Sequence, residues 1–193
     1  MADNKPVSYP SSEVIRKELQ RIRYRNRYIR TVFSTLRVLL VVASASALLA
    51  VMILPVFRIY GSSMTPTLEE GTIVTGLKTT SFDQGDLIAF YYNNKLLVKR
   101  VIATSGQWVN IDLEGNVYVN DQLLDEPYLL DKSFDSCDII LPYQVPEGRV
   151  FVMGDHRSIS LDSRMEEIGC ISEEQIAGKL EYVIWPLTSF RKL

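Results

Sequence analysis

Residues 38–57 read VLLVVASASALLAVMILPVF, a run without a charge in which Ser44 and Ser46 are the only polar side chains and Pro55 stands near the end. Twenty residues of helix, at 1.5 Å each, span ~30 Å, the thickness of a hydrocarbon core. Arg37 and Arg58 bracket the run. A cleaved leader shows the same order of basic then apolar residues. This run is longer than a typical leader core, follows 37 other residues, and carries its small residues, Ala43 to Ala47, in the middle rather than at the end. It is expected to remain as a membrane anchor over 38–57.

The charges on either side of the run differ. Residues 1–37 hold nine Lys/Arg against three acids, and the rest of the chain holds 12 against 20, which the overall net charge of -2 conceals. Positive residues stay on the cytoplasmic face of a membrane. Residues 1–37 are therefore expected inside, and 58–193 outside, as an extracytoplasmic domain. Residues 1–10, polar and carrying Pro6 and Pro10, are expected to be disordered. From an N-cap at Ser11 or Ser12, apolar residues recur at Ile15, Leu19, Ile22, Ile29, Phe33 and Leu36 with helical spacing. The arginines of this helix, interleaved with Tyr24 and Tyr28, fit anionic lipid headgroups rather than nucleic acid.

Beyond the run, segments rich in β-branched and aromatic residues follow: Thr72–Leu77, Leu87–Tyr92, Leu96–Ile102, Trp108–Leu113, Val117–Asn120, Arg149–Met153 and Gly178–Trp185. Turn signals such as Asn93-Asn94 and Asn120-Asp121 separate them. The alternation Val109, Ile111, Leu113, turn, Val117, Val119 reads as a hairpin. The expected class is mostly β, an antiparallel β domain behind a single N-terminal transmembrane helix. One short helix is expected over Ser172–Ala177.

The chain has a single histidine, His156, and two cysteines, too few ligands for a four-coordinate zinc site, and it carries no Gly-rich phosphate loop. No metal and no cofactor are expected. Whether Cys137 and Cys170 form a disulfide is left open by their spacing.

Three segments carry the chemistry: Gly61-Ser62-Ser63-Met64-Thr65-Pro66-Thr67-Leu68, then Val98-Lys99-Arg100-Val101-Ile102, then Gly154 to Arg164 (GDHRSISLDSR). Each alone reads as a turn, a strand face or a solvated loop. Together, in this order and with the serine shortly after a membrane span, they resemble the conserved boxes of the type I signal peptidases, in a shorter form like that of Gram-positive bacteria. Leu124 to Tyr128 and Trp185-Pro186 also resemble family segments.

The resemblance implies a signal-peptidase-type fold and a membrane-bound serine endopeptidase that removes signal peptides from secreted preproteins after small-x-small motifs. It implies Ser63 as nucleophile and Lys99 as general base, Ser160 bonded to the lysine, Asp162 and Arg164 as a supporting ion pair, and the Ser63 backbone N–H in the oxyanion hole. The position two before the nucleophile, which bears a hydroxyl in some members, is Gly61 here, so Ser62 is the candidate for a second donor. His156 stands where the family usually has Asn, and Ala103 to Gln107 departs from the family's Gly-x-Pro-Gly-Asp.

The dyad has its own physical logic. A serine hydroxyl needs a base. A lysine serves if burial lowers its pKa by penalising the ammonium form. Leu97 and Val101 share the Lys99 strand face, whereas Arg100 points the other way and reads as structural, with Asp155 and Arg157 bracing the loop. An extended substrate could add to the edges Phe57–Ser62 or Leu97–Val101. The alternatives are a catalytically inactive relative acting as a chaperone in pilus assembly, a self-cleaving Ser-Lys repressor-type protease, and a tethered β module without activity.

Overall fold

The structure, a computed structural model, describes residues 11–134 and 137–193, the side chains of 51 and 52 excepted. The expectation for residues 1–10 lies outside them. The chain divides into two units, Met1–Ala50 and Val51–Leu193.

Helix α1 runs Ser12–Ile53. The Ser11 carbonyl accepts the N–H groups of Val14 and Ile15 in its first turn, and Glu13 places a negative charge at the positive end of the helix dipole. Its apolar residues are not gathered on one buried face: Leu40 is 68% exposed and Leu48 70%. A helix apolar all round fits lipid and not water. The helix stops four residues short of the end of the apolar run. Pro55 has no N–H to donate and disfavours helical geometry at Leu54. Val56 and Phe57, read above as part of the span, instead begin a strand.

Among the described residues the second unit has twelve short strands: β1 Val56–Arg58, β2 Ile73–Leu77, β3 Leu87–Tyr92, β4 Lys95–Ala103, β5 Trp108–Ile111, β6 Val117–Val119, β7 Gln122–Leu123, β8 Tyr143–Gln144, β9 Arg149–Met153, β10 Ile171–Ser172, β11 Ile176–Trp185 and β12 Arg191–Lys192. All pair antiparallel. The larger sheet has the order β1-β2-β11-β3-β4-β9-β10, with β12 also on β11, and the smaller has the order β7-β6-β5-β8. The β3–β4 hairpin turns through Asn93 and Asn94, both at positive φ, as do Asn120 and Asp121 between β6 and β7. Asparagine and aspartate tolerate that conformation, which matches the twist of the flanking strands. The helix expected over Ser172–Ala177 is a correction: only Glu173–Gln175 form a single 3-10 turn. Ile176 and Ala177 are drawn into β11, where Ile176 pairs with Phe90.

Three apolar clusters hold this unit together. Ile88, Phe90, Val101, Val150, Val152 and Ile171 form one. Ile59, Met64, Leu68, Val74, Leu87 and Leu180 form a second, which fixes the segment just after β1. Ile102, Val109, Val117, Phe151 and Cys170 form a third, joining the smaller sheet to β4 and β9. Each buried Leu, Ile or Phe contributes about 1.5–3 kcal/mol. The first two clusters set β4 and the 59–68 segment against one another, and the site lies there.

Candidate active site

Ser63 lies in the turn that follows β1, anchored by its neighbours Met64 and Leu68, 2% and 1% exposed. The Leu68 N–H donates to the Met64 carbonyl at 2.8 Å, and the Thr65 N–H to the Ser62 carbonyl at 3.1 Å. Lys99 projects from β4, opposite Ile88 of β3. Its side chain reaches the turn, and Nζ donates to Ser63 Oγ at 2.7 Å. With the amine neutral, the same contact lets the hydroxyl donate to the nitrogen lone pair.

Lys99 is 3% exposed. Burial is the largest influence on it and lowers its pKa from the ordinary 10.5 to about 8; the carboxylates of Asp162 and Asp155 pull upward, and the Arg164 guanidinium downward. The apolar surroundings have a clear origin in the sequence. Leu97 and Val101 share the strand face with Lys99 and join the cluster of Ile88, Phe90 and Val152.

The loop from Gly154 to Arg164 packs behind the nucleophile. The His156 N–H donates to the Ser63 carbonyl at 3.1 Å. A Cβ at Gly154 would lie 2.6 Å from that same carbonyl oxygen and 2.2 Å from Ser160 Oγ, so only glycine fits. Asp162 and Arg164, both fully buried, pair with Nε–Oδ1 at 2.8 Å. Asp162 Oδ2 also accepts the Gly154 N–H at 3.0 Å. Arg164 donates to the carbonyls of Ser133 at 2.9 Å and Arg157 at 2.7 Å. Arg157 donates to the Gly154 carbonyl at 2.9 Å and pairs with Glu126.

Ser160 behaves differently from the expectation. It is 1% exposed, but its Oγ makes no hydrogen bond, so the bond to Lys99 that the resemblance implies is not formed. The hydroxyl lies against the Gly154 backbone, and the lysine amine is committed to Ser63. Ser62 is exposed, and Gly61 beside it has φ +80°. Among the described residues the Ser63 N–H donates to no acceptor. Cys137 and Cys170 are free thiols, and burial pushes Cys170 up to about 11.

Sequence reasoning had assigned Arg100 no partners. It holds Asp155 with both arms of its guanidinium, at 2.9 and 2.7 Å, and its face lies 3.8 Å from the centre of the Tyr128 ring. Glu126 and Tyr128 were noted only as a family-like segment. Their charge and aromaticity beside Pro127 were the available signals.

A cavity of about 40 Å³ separates Arg58–Met64 from Leu96–Lys99 and opens on Ser63 and Lys99. One wall is an edge of β4; the other is the segment that leaves the end of β1. Among the described residues β1 pairs only with β2. On β4, the ladder with β9 begins at Arg100, leaving the second edge of Leu96–Lys99 unpaired among the described residues.

The sequence profile of the family described as signal peptidase, peptidase S26, matches residues 29–185. A signal peptidase I of Bacillus licheniformis is 30% identical over 175 residues, covering 84% of this chain and 93% of its own length. A signal peptidase IB of Staphylococcus aureus is 35% identical over 157 residues, covering 70% of this chain and 80% of its own. Among solved structures, a signal peptidase I from Enterococcus faecalis V583 aligns with a TM-score of 0.43 at 28% identity, covering 52% of this chain and 97% of that one.

Proposed function

This chain belongs to the signal peptidase, peptidase S26, family, and from that premise we propose that it cleaves signal peptides from secreted preproteins by a Ser63–Lys99 dyad. The observation that carries the residue assignment is the 2.7 Å contact between a serine hydroxyl and a lysine whose burial brings its pKa to about 8. Neutral Lys99 takes the hydroxyl proton as Oγ attacks the scissile carbonyl, and the resulting ammonium returns it to the leaving amine. Among the described residues the Ser63 N–H has no acceptor, and it is assigned to the oxyanion, with Ser62 as candidate for the second donor. Asp162 and Arg164, whose charges act on Lys99, support the lysine side of the site.

The substrate lies extended between the Leu96–Lys99 edge and the segment after β1, so that main-chain hydrogen bonds give affinity and alternate side chains enter the wall. The narrowness of the cavity favours small side chains at those positions, which is the small-x-small pattern. The single N-terminal apolar helix fits a membrane-anchored peptidase. The bilayer is crossed once, near 38–53, with the basic N-terminal segment on the cytoplasmic side and the β unit outside. The chaperone alternative has no observation in its favour: nucleophile and amine are both present and in contact.

The test is incubation of the purified full-length protein, in lipid vesicles, with a preprotein, followed by N-terminal sequencing of the product. A single cut after a small-x-small triplet, lost in Ser63→Ala, is the expected result. Undiminished cutting by Ser63→Ala would remove the nucleophile.

A further inference from the structure

We propose that Tyr128, outside the three boxes and outside the cleft, is a positioning residue for the dyad: its ring covers Arg100 and keeps that guanidinium clamped on Asp155 and Thr67, behind the nucleophile turn. The proposal rests on the dyad reading above.

The clamp joins three separate segments. Arg100, next to Lys99 on β4, donates to Asp155 Oδ1 at 2.9 Å and Oδ2 at 2.7 Å, to Thr67 Oγ1 at 3.3 Å, and to the Gly85 carbonyl at 2.9 Å. Thr67, in the nucleophile turn, donates its hydroxyl to Asp155 Oδ2 at 2.5 Å. Asp155 is fully buried and stands between Gly154, where an added Cβ would lie 2.6 Å from the Ser63 carbonyl oxygen, and His156, whose N–H donates to that oxygen. Any slack in Asp155 therefore reaches the backbone of the nucleophile directly.

Tyr128 closes the open side of this arrangement. An arginine plane 3.8 Å from a ring centroid is a cation–π stack, and the ring also keeps water from the charged pair. The Tyr128 hydroxyl donates to Glu126 Oε1 at 3.0 Å, and Glu126 pairs with Arg157, which holds the Gly154 carbonyl. The same segment grips the loop twice more. The Leu130 N–H donates to the Asp155 carbonyl at 3.1 Å, and Asp131 Oδ2 accepts the Ser158 N–H at 3.1 Å.

The clamp also has an electrostatic consequence. The Asp155 carboxylate favours the ammonium form of Lys99. A guanidinium held on Asp155 offsets that pull; one free to swing into water offsets it less. Loosening the clamp thus raises the pKa of the base and moves activity to higher pH.

Two variants separate the ring face from the hydroxyl. Tyr128→Leu keeps apolar volume and loses the face. Tyr128→Phe keeps the face and loses the bond to Glu126. Full-length proteins in vesicles are assayed from pH 6 to 10, with Lys99→Ala as control. The expected result for Tyr128→Leu is a kcat lower by about tenfold, KM within about twofold, and a pH midpoint raised by roughly half a unit. Tyr128→Phe is expected to restore kcat and midpoint to near those of the unsubstituted protein. Leucine matching tyrosine in kcat and midpoint, or phenylalanine losing as much as leucine, overturns the proposal.

Should the leucine variant not fold, Arg100→Lys decides. It keeps the charge but cannot hold two carboxylate oxygens and Thr67 together, so kcat falls with KM retained; an undiminished kcat overturns the proposal. Cleavage by Lys99→Ala would instead sink the dyad itself. An inactive Lys99→Ala together with an indifferent Tyr128→Leu sinks only this inference.

Discussion

Two regions of the site bury positive charge, and they do so in opposite ways. On the face of β4, Lys99 is 3% exposed and its bonded partner is a serine hydroxyl; its strand-face neighbours are aliphatic. In the Gly154–Arg164 loop, Arg164 is fully buried against Asp162 and two carbonyls, and Arg157 is buried against Glu126. A cation without a counter-ion gives up its proton, and a lysine can do so where a guanidinium cannot. The loop holds permanent charges in place by pairing them with carboxylates, although Arg157 Nη1 has no partner among the described residues; the strand face makes a base by withholding a counter-ion.

The sharpest way to break this contrast is to remove the amine that lacks a counter-ion. Lys99→Ala is expected to lower the cleavage rate by at least roughly a thousandfold, because the residual rate comes from binding and the oxyanion donor alone. Single-turnover cleavage of a preprotein measures it, and a loss under tenfold would mean that another group takes the proton.

Next in size is Asp162→Ala, which strips the buried Arg164 of its counter-ion. Breaking one side of such a pair costs about 3–5 kcal/mol, read as a lower midpoint in denaturant unfolding. In whatever fraction stays folded, the pH midpoint for activity falls, since Asp162 is the larger of the two carboxylate influences raising Lys99. That direction is opposite to the one expected for Tyr128→Leu.

Lys99→Met should do the reverse to stability. The folded pKa of Lys99, about 8, lies below its ordinary 10.5. Between those values the unfolded chain binds more protons, so stability rises with pH across that window. The burden below pH 8 is roughly 3 kcal/mol. The methionine variant should therefore be more stable at pH 7 by about that amount, with the advantage gone by pH 11. Equal stability of the two proteins at pH 7 would contradict a penalised ammonium.

A smaller effect is expected of Gly154→Ala, whose methyl must displace Ser160 or the Ser63 carbonyl. A loss of about 1–3 kcal/mol in stability and a fall in kcat with KM retained are the expected readouts. An unchanged kcat would show that the nucleophile's backbone is not held by this contact.

Much of this was legible in the sequence, for identifiable reasons. The uncharged run announced the long helix, and Asn93-Asn94 and Asn120-Asp121 announced turns that need positive φ. Ser63, Lys99 and the Asp162–Arg164 pair came from ordered boxes, because a dyad and a buried pair require particular residue types. The end of the helix was misplaced because hydropathy does not distinguish a lipid-facing Val56 from one at the start of a strand. The 172–177 segment looked helical, but β11 begins at Ile176, which pairs with Phe90 of β3. The contacts of Arg100 with Tyr128, Asp155 and Thr67 join segments up to 88 residues apart along the chain, and no local pattern encodes such pairing. Ser160 shows the converse: its residue type fitted a bond to Lys99, and the geometry gave its hydroxyl no partner.

The most direct measurement is an NMR titration of the Lys99 side chain in the full-length protein, with the signal assigned by its absence from Lys99→Met. The account predicts a midpoint near 8, with the amine largely neutral by pH 9. A midpoint at the ordinary lysine value, near 10.5, would mean that the buried amine remains an ammonium at working pH and cannot be the base.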